Sequence, residues 1–123
     1  MSIRSKAIEW FSSDFKDEKN KIVTSKYYLA EESWPKKELW WLKIPPTAID
    51  KSKYDFVNLI VQSIPGERQF YYLKVPIGFL IEHLTQFHKE REKISLYLSA
   101  DPKNLFTEIR GVGKLDFSVF LIS

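Results

Sequence analysis

The chain has 123 residues, with 19 Lys and Arg against 16 Asp and Glu, for a formal charge of +3 at neutral pH. That length fits one domain, and one large enough to bury a core without a disulfide or a metal staple. The absence of cysteine excludes a disulfide framework, a zinc ribbon, an iron–sulfur site and a thiol nucleophile together. With 44% hydrophobic and 28% charged residues the composition is that of a folded globular chain, not a disordered one. No apolar run reaches the ~18 residues of a membrane helix, and Met1-Ser2-Ile3-Arg4-Ser5-Lys6 lacks the apolar core of a signal peptide. A cytoplasmic protein of bacterial or viral origin, with no membrane partner, is the expectation.

Ser2 to Lys16 places Ile3, Ala7, Phe11 and Phe15 on one stripe at helical spacing, with Trp10 beside it and Ser2 as cap. Asp17-Glu18-Lys19-Asn20-Lys21 ends that helix as a polar loop. Ile22 to Leu29 is rich in β-formers and predicts a strand. Glu31 to Lys37 is a loop containing Pro35. Glu38 to Ile44 predicts a strand stopped by Pro45-Pro46, and Thr47 to Lys53 a turn or one helical turn. Tyr54 to Ile64 predicts a strand buried on both faces. Pro65-Gly66-Glu67-Arg68 predicts a hairpin turn into a strand over Gln69 to Val75.

Pro76 opens a helix to about His88, carried by Ile77, Leu80, Ile81, Leu84 and Phe87. Lys89-Glu90-Arg91-Glu92-Lys93 is its frayed end and a loop. Ile94 to Ala100 alternates as a half-buried strand. Asp101-Pro102-Lys103-Asn104 is a turn, Leu105 to Arg110 a short strand, and Gly111-Val112-Gly113 a turn. Leu115 to Ile122 predicts a strand, with a short helix capped by Asp116 as the alternative. The expected fold is α+β and β-rich: an antiparallel sheet curled into an open barrel with one or two short helices. Residues 1–20 form the N-terminal helix and loop of this single domain, and 22–123 its β-rich core.

One internal pattern stands out. Trp40-Trp41-Leu42-Lys43-Ile44-Pro45 and Tyr71-Tyr72-Leu73-Lys74-Val75-Pro76 match at an offset of 31 residues. Each ends a strand on a proline that lacks a donor and whose fixed φ starts a helical turn. Alternation puts Trp40, Leu42 and Ile44 on one face of the first strand, and Tyr71, Leu73 and Val75 on one face of the second. These apolar sets face the core. The opposite faces carry Trp41 with Lys43 and Tyr72 with Lys74. Tyr97, between Ser95 and Ser99, is a third aromatic on a polar face. Rings beside cations offer base stacking and phosphate neutralisation together; the alternative is that other elements cover them.

Tyr71-Tyr72-Leu73-Lys74-Val75-Pro76-Ile77-Gly78-Phe79-Leu80-Ile81-Glu82-His83-Leu84 resembles the strand, Pro and short amphipathic helix of DNA-binding pseudobarrel domains. These are the plant B-three type and the effector domains of certain bacterial restriction enzymes. The strand Ile94 to Ala100 and the turn to Leu105–Arg110 follow the same order, so the resemblance spans Glu38 to Arg110. It implies an open barrel with two short helices, approximate two-fold symmetry and reading of the DNA major groove. The aromatic pairs and Gly111-Val112-Gly113 are not part of that pattern.

Catalytic motifs are absent from the sequence. His83 and His88 lie five apart, which one helical face presents poorly to a metal. No phosphate loop or nucleophile elbow occurs. Asp17-Glu18-Lys19 has nuclease-like spacing but sits in a charge run. Arg110 before two glycines, with Lys114 after them, is the most function-like loop position. These features point to a non-enzymatic nucleic-acid-binding module, DNA first, of a bacterial defence or regulatory system. The assigned residues are Trp41, Lys43, Arg68, Tyr72, Lys74, Lys103, Arg110 and Lys114, with no catalytic residue, metal or cofactor. The alternatives are a protein-interaction module, such as an immunity protein, antitoxin or accessory subunit, and thirdly a small nuclease.

Overall fold

The computed structural model describes residues 3–15, 19–33, 35–63 and 70–123. The hairpin turn Pro65-Gly66-Glu67-Arg68, the Ser2 cap, and Asp17 and Glu18 lie outside the described residues. The predicted N-terminal stripe forms α1 (Ile3–Asp14), with Ala7 and Phe11 buried. The strands are β1 (Lys21–Ser25), β2 (Tyr27–Tyr28), β3 (Leu39–Ile44), β4 (Phe56–Gln62), β5 (Phe70–Pro76), β6 (His88–Glu90) and β7 (Lys93–Ser99). A second helix, α2 (Ile77–Glu82), follows β5 directly, with Pro76 at its N-cap.

The fold is α+β and β-rich, as expected, but the strands divide between two sheets. One has the order β1-β4-β5 and the other β2-β3-β7-β6. They are not closed into a barrel. One pair also departs from antiparallel order, because β1 runs parallel to β4. Between the sheets lies the main core, built on Trp40, Leu42, Ile44, Leu59, Leu73, Leu96 and Leu98. Helix α1 covers the outer face of the three-stranded sheet, seating Ala7 and Phe11 on Ile60, Phe70 and Tyr72. With core on one face and a helix on the other, β4 is buried from Val57 to Val61. Fully burying one large apolar side chain such as Phe11 contributes about 1.5–3 kcal/mol.

The predicted strand over Ile22 to Leu29 splits at Lys26, where the chain passes from one sheet to the other. Side chains take up the backbone donors freed there. The Trp41 N–H donates to Ser25 Oγ at 2.9 Å, and the Tyr27 N–H to Gln62 Oε1 at 2.9 Å.

The two matching hexapeptides occupy matching places. Chain β3 leaves the four-stranded sheet, makes a 3-10 turn (Pro46–Ile49) and returns as β4 in the other sheet. Strand β5 leaves the three-stranded sheet, makes α2 and reaches β6 and β7 in the four-stranded one. Trp40 and Tyr71 meet edge-to-face in the core, with ring centroids 5.9 Å apart. On the outer faces, Trp41 Nε1 donates to Ser95 Oγ at 2.9 Å and Tyr72 OH to Asn58 Oδ1 at 2.8 Å. Ser95 lies opposite Lys43 and Asn58 opposite Lys74, so both ladders repeat the same diagonal contact.

Three expectations change. The helix from Pro76 stops at Glu82, and the charged run after it forms a hairpin between β6 and β7. Arg91 and Glu92 make that turn at positive φ, without the glycine or asparagine that usually marks it. Leu105 to Arg110 and Leu115 to Ile122 are not strands. They form single bridges, Thr107 to Asp116, Leu98 to Glu108 and Leu73 to Leu121, and a 3-10 turn at Ser118–Phe120. Phe106 and Phe117 anchor this irregular segment in the core. Finally, on the outer face of β7 the serines Ser95 and Ser99 are buried, while Tyr97 between them is only half-buried.

Candidate functional site

The outer face of the four-stranded sheet carries a row of rings. Trp41 on β3 stands opposite Tyr97 on β7, with centroids 5.9 Å apart, and Tyr28 on β2 lies 6.2 Å from Trp41 on the other side. All three rings are half-buried. A cation lies over each: Lys26 at 4.7 Å from the Tyr28 centroid, Lys43 at 4.5 Å from Trp41, and Arg110 at 4.6 Å from Tyr97. Each such contact contributes about 0.5–1 kcal/mol at an exposed site.

Two carboxylates hold these cations: Glu32 pairs with Lys26 at 3.0 Å, and Glu90 takes the other two. Glu90, on β6, takes Arg110 Nη2 at 2.8 Å and Lys43 Nζ at 3.4 Å, with His88 Nε2 at 3.9 Å. The Arg110 guanidinium, helped by Lys43, holds the Glu90 carboxyl below the usual carboxylate range. Arg110 also donates through Nη1 to Ser95 Oγ at 2.7 Å. Its position depends on a second carboxylate, Glu108, which is 1% exposed. Glu108 Oε2 accepts from the Tyr97 and Arg110 N–H groups at 2.8 and 3.1 Å, and Oε1 from the Gly111 N–H at 2.6 Å. Tyr97 and the Arg110 bend are thereby fixed to one buried group.

Hollows flank the rings. The first, of about 620 Å³, opens where the edges of β1 and β3 part, and is lined by Arg4, Lys21, Lys43, Lys93, Tyr28 and Trp41 among others. The second, of about 860 Å³, is lined by Lys37, His88, Tyr97, Asn104, Arg110 and Lys114 among others. A smaller one, of about 520 Å³, joins Lys43 and Lys93 to Arg91 and Glu90. Among the residues lining the three, eight are Lys or Arg and one, Glu90, is a carboxylate. The whole chain carries a net charge of only +3, so the positive charge is concentrated here.

Trp41, Lys43, Arg110 and Lys114 therefore share one side of the molecule. Lys114 sits at the rim, with its Nζ on the Ile109 carbonyl oxygen at 3.0 Å. Tyr72 does not belong to an accessible surface. It is 3% exposed, with Phe11 and Phe15 packed against its ring at 4.9 Å. Lys74 shares that other sheet's outer face, over the Phe56 ring at 4.5 Å. Lys103 is exposed in the turn beyond β7, where its N–H meets Asp101 Oδ1 at 3.0 Å. Arg68 lies outside the described residues. The two loop glycines approach the chain itself: a side chain at Gly111 would collide with the Gln86 carbonyl oxygen, and one at Gly113 with the Gln86 side chain.

Strand alternation identifies Trp41, Lys43 and Tyr97. It misses Tyr28, Lys21, Lys93, Glu90 and Glu108, whose roles depend on pairing across the sheet. His83 lies half-buried against Phe79 at 4.6 Å, and His88 is exposed on β6, so the histidines do not share a helix. Among the described residues no group of His, Asp and Glu is placed to hold a metal ion, and no helix is long and apolar enough to cross a membrane. No family model matches the chain, and comparison with curated proteins and with solved structures finds no match.

Proposed function

We propose that this protein is a nucleic-acid-binding module, DNA in the first instance, that works through the outer face of its four-stranded sheet. The observation that carries the reading is the row Tyr28, Trp41 and Tyr97, each ring under a cation, between hollows lined by eight basic residues and one acidic one. Lys and Arg neutralise phosphates, and rings accept bases, so the combination suits this ligand better than either feature alone. The preference for DNA rests on the resemblance of residues 38–110 to DNA-binding pseudobarrel domains. The test separates the two sheets. Lys43→Glu weakens oligonucleotide binding by about tenfold or more, a loss of one phosphate contact with added repulsion. Lys74→Glu, on the opposite face, leaves affinity within about twofold. Equal effects of the two, or none, refute the assignment.

A protein-interaction module is the second reading, and one observation favours it. Val119 and Ile122 are 71% and 55% exposed and lie with Leu121 on the C-terminal segment. Association through that strip would weaken little with salt, whereas phosphate contacts weaken steeply.

A further inference from the structure

We infer that the nucleic acid this face accepts is a single strand rather than the duplex that the pseudobarrel resemblance implies. The inference rests on the proposed function and names the form of its ligand. In a duplex each base is stacked above and below, so its π-face is closed to a protein ring and only its edges are readable. The face described above is built to receive π-faces. The Trp41 ring and the guanidinium over Tyr97 are both held by polar contacts. Trp41 Nε1 is tied to Ser95 Oγ, and Arg110 is fixed above Tyr97 by Glu90 and Ser95. A guanidinium so placed is itself a flat platform for a base.

The shape agrees. Reading a duplex groove takes a projecting helix or ribbon. Here the rings and cations line concavities of about 620 and 860 Å³. Cavities of roughly 300–1,000 Å³ hold small-molecule-sized ligands, a class that includes one unpaired nucleotide. The two hollows also differ in chemistry. The second sets the Tyr97 ring, Pro35 and Ile109 beside the polar side chains of Asn104 and Thr107, so it offers stacking together with groups that can meet a base edge. The first offers Arg4, Lys21, Lys43 and Lys93 with no carboxylate in its lining, which suits the sugar-phosphate chain. A strand laid across Trp41 from one hollow to the other places a base in the second and its neighbouring phosphates in the first. Glu90 stands between them, holding with its carboxylate the two cations that the phosphate between the hollows would take up.

The test compares a fluorescently labelled mixed-sequence DNA 12-mer, as a single strand and annealed to its complement, by anisotropy against the unaltered protein at ~100 mM salt. The single strand binds at least tenfold more tightly than the duplex. Tyr97→Leu, checked for native circular dichroism, weakens the single strand by about 5-fold or more, the low end of one base–aromatic stack. It leaves the duplex within about twofold. Equal or tighter duplex binding overturns the inference and leaves the proposed function standing. Binding of neither form at ~50 mM salt overturns both.

Discussion

Glu108→Gln is the sharpest test of how the ring-bearing face is built. The carboxylate is buried and accepts three backbone N–H groups, from Tyr97, Arg110 and Gly111. A glutamine has the same shape but only one acceptor oxygen. If its NH2 replaces Oε2, two backbone donors face a donor; if it replaces Oε1, one does. The second orientation is the less costly, and it leaves the Gly111 N–H without an acceptor while removing the charge from the other two bonds. An unsatisfied buried donor costs about 1–3 kcal/mol, and weakening charge-assisted bonds adds to that, so the expected loss is about 2–4 kcal/mol. For a chain of this length, unfolding entropy of about 2.1 cal/mol/K per residue converts that to a fall in Tm of about 8–15 °C. Thermal unfolding followed by circular dichroism reads it directly, and urea titration checks that the m-value is unchanged. Because the lost bonds hold Arg110 over Tyr97, nucleic-acid affinity falls as well. A Tm within about 2 °C of the unaltered protein would refute the idea that Glu108 anchors this segment.

Three further predictions concern Glu90 and Tyr27. Glu90→Gln keeps a side-chain oxygen for Arg110, which Ser95 also holds over Tyr97, but removes the charge that competes with phosphate for Lys43 and Arg110, so oligonucleotide binding tightens by about 3- to 10-fold, measured by anisotropy at fixed salt. Since the Glu90 carboxyl titrates below its ordinary value of 4.5, its contribution to stability is present above that pH and is lost as pH falls through the lower, folded value. The acid limb of a stability–pH profile therefore loses that component in Glu90→Gln. At the alkaline end, burial, with the bond to Glu38, pushes the Tyr27 phenol up to about 12. The folded state favours the neutral phenol, so its contribution is complete below pH 10 and is lost between pH 10 and about 12. Tyr27→Phe flattens that part of the profile in chemical unfolding measured over the same range; an unchanged slope refutes the assignment.

Where local pattern and tertiary environment agreed, the elements were legible. The stripe Ile3, Ala7, Phe11 and Phe15 specifies α1 because the outer face of the three-stranded sheet receives it. The β-forming, largely apolar run Val57 to Val61, broken only by Asn58, specifies a strand covered on both sides. The split at Lys26 was not legible, since Ser25 and Gln62 meet the freed backbone donors from positions no local pattern connects. Nor was the β6–β7 hairpin, whose turn sets two charged residues at positive φ. Leu105 to Arg110 and Leu115 to Ile122 read as strands, yet the first bonds β7 only around a break at Phe106, which turns at positive φ, and Phe106 and Phe117 point into the core as anchors of irregular chain.

The same limit governs the site. Alternation separates Trp41 and Lys43 from the core side of β3, and Tyr72 and Lys74 from the core side of β5, with equal force. It does not say that α1 lies over Tyr72 while Trp41 lies between open hollows. Matching hexapeptides thus have opposite fates, one outward face covered by α1 and the other bordered by hollows. Glu90 was hidden in a charge run that looked like solvated loop. Only the hairpin register places it beside Lys43 and Arg110.

The most direct test of the binding face is the salt dependence of affinity for whichever strand form binds more tightly, from ~50 to ~200 mM salt. Four cations line the first hollow alone. If each neutralises one phosphate, the slope of log K against log salt is about −3 to −4, and affinity falls about 50- to 150-fold over that range. Lys43→Glu should make the slope shallower by about one phosphate contact. A slope near zero, or one that Lys43→Glu leaves unchanged, would contradict a nucleic-acid site on this sheet.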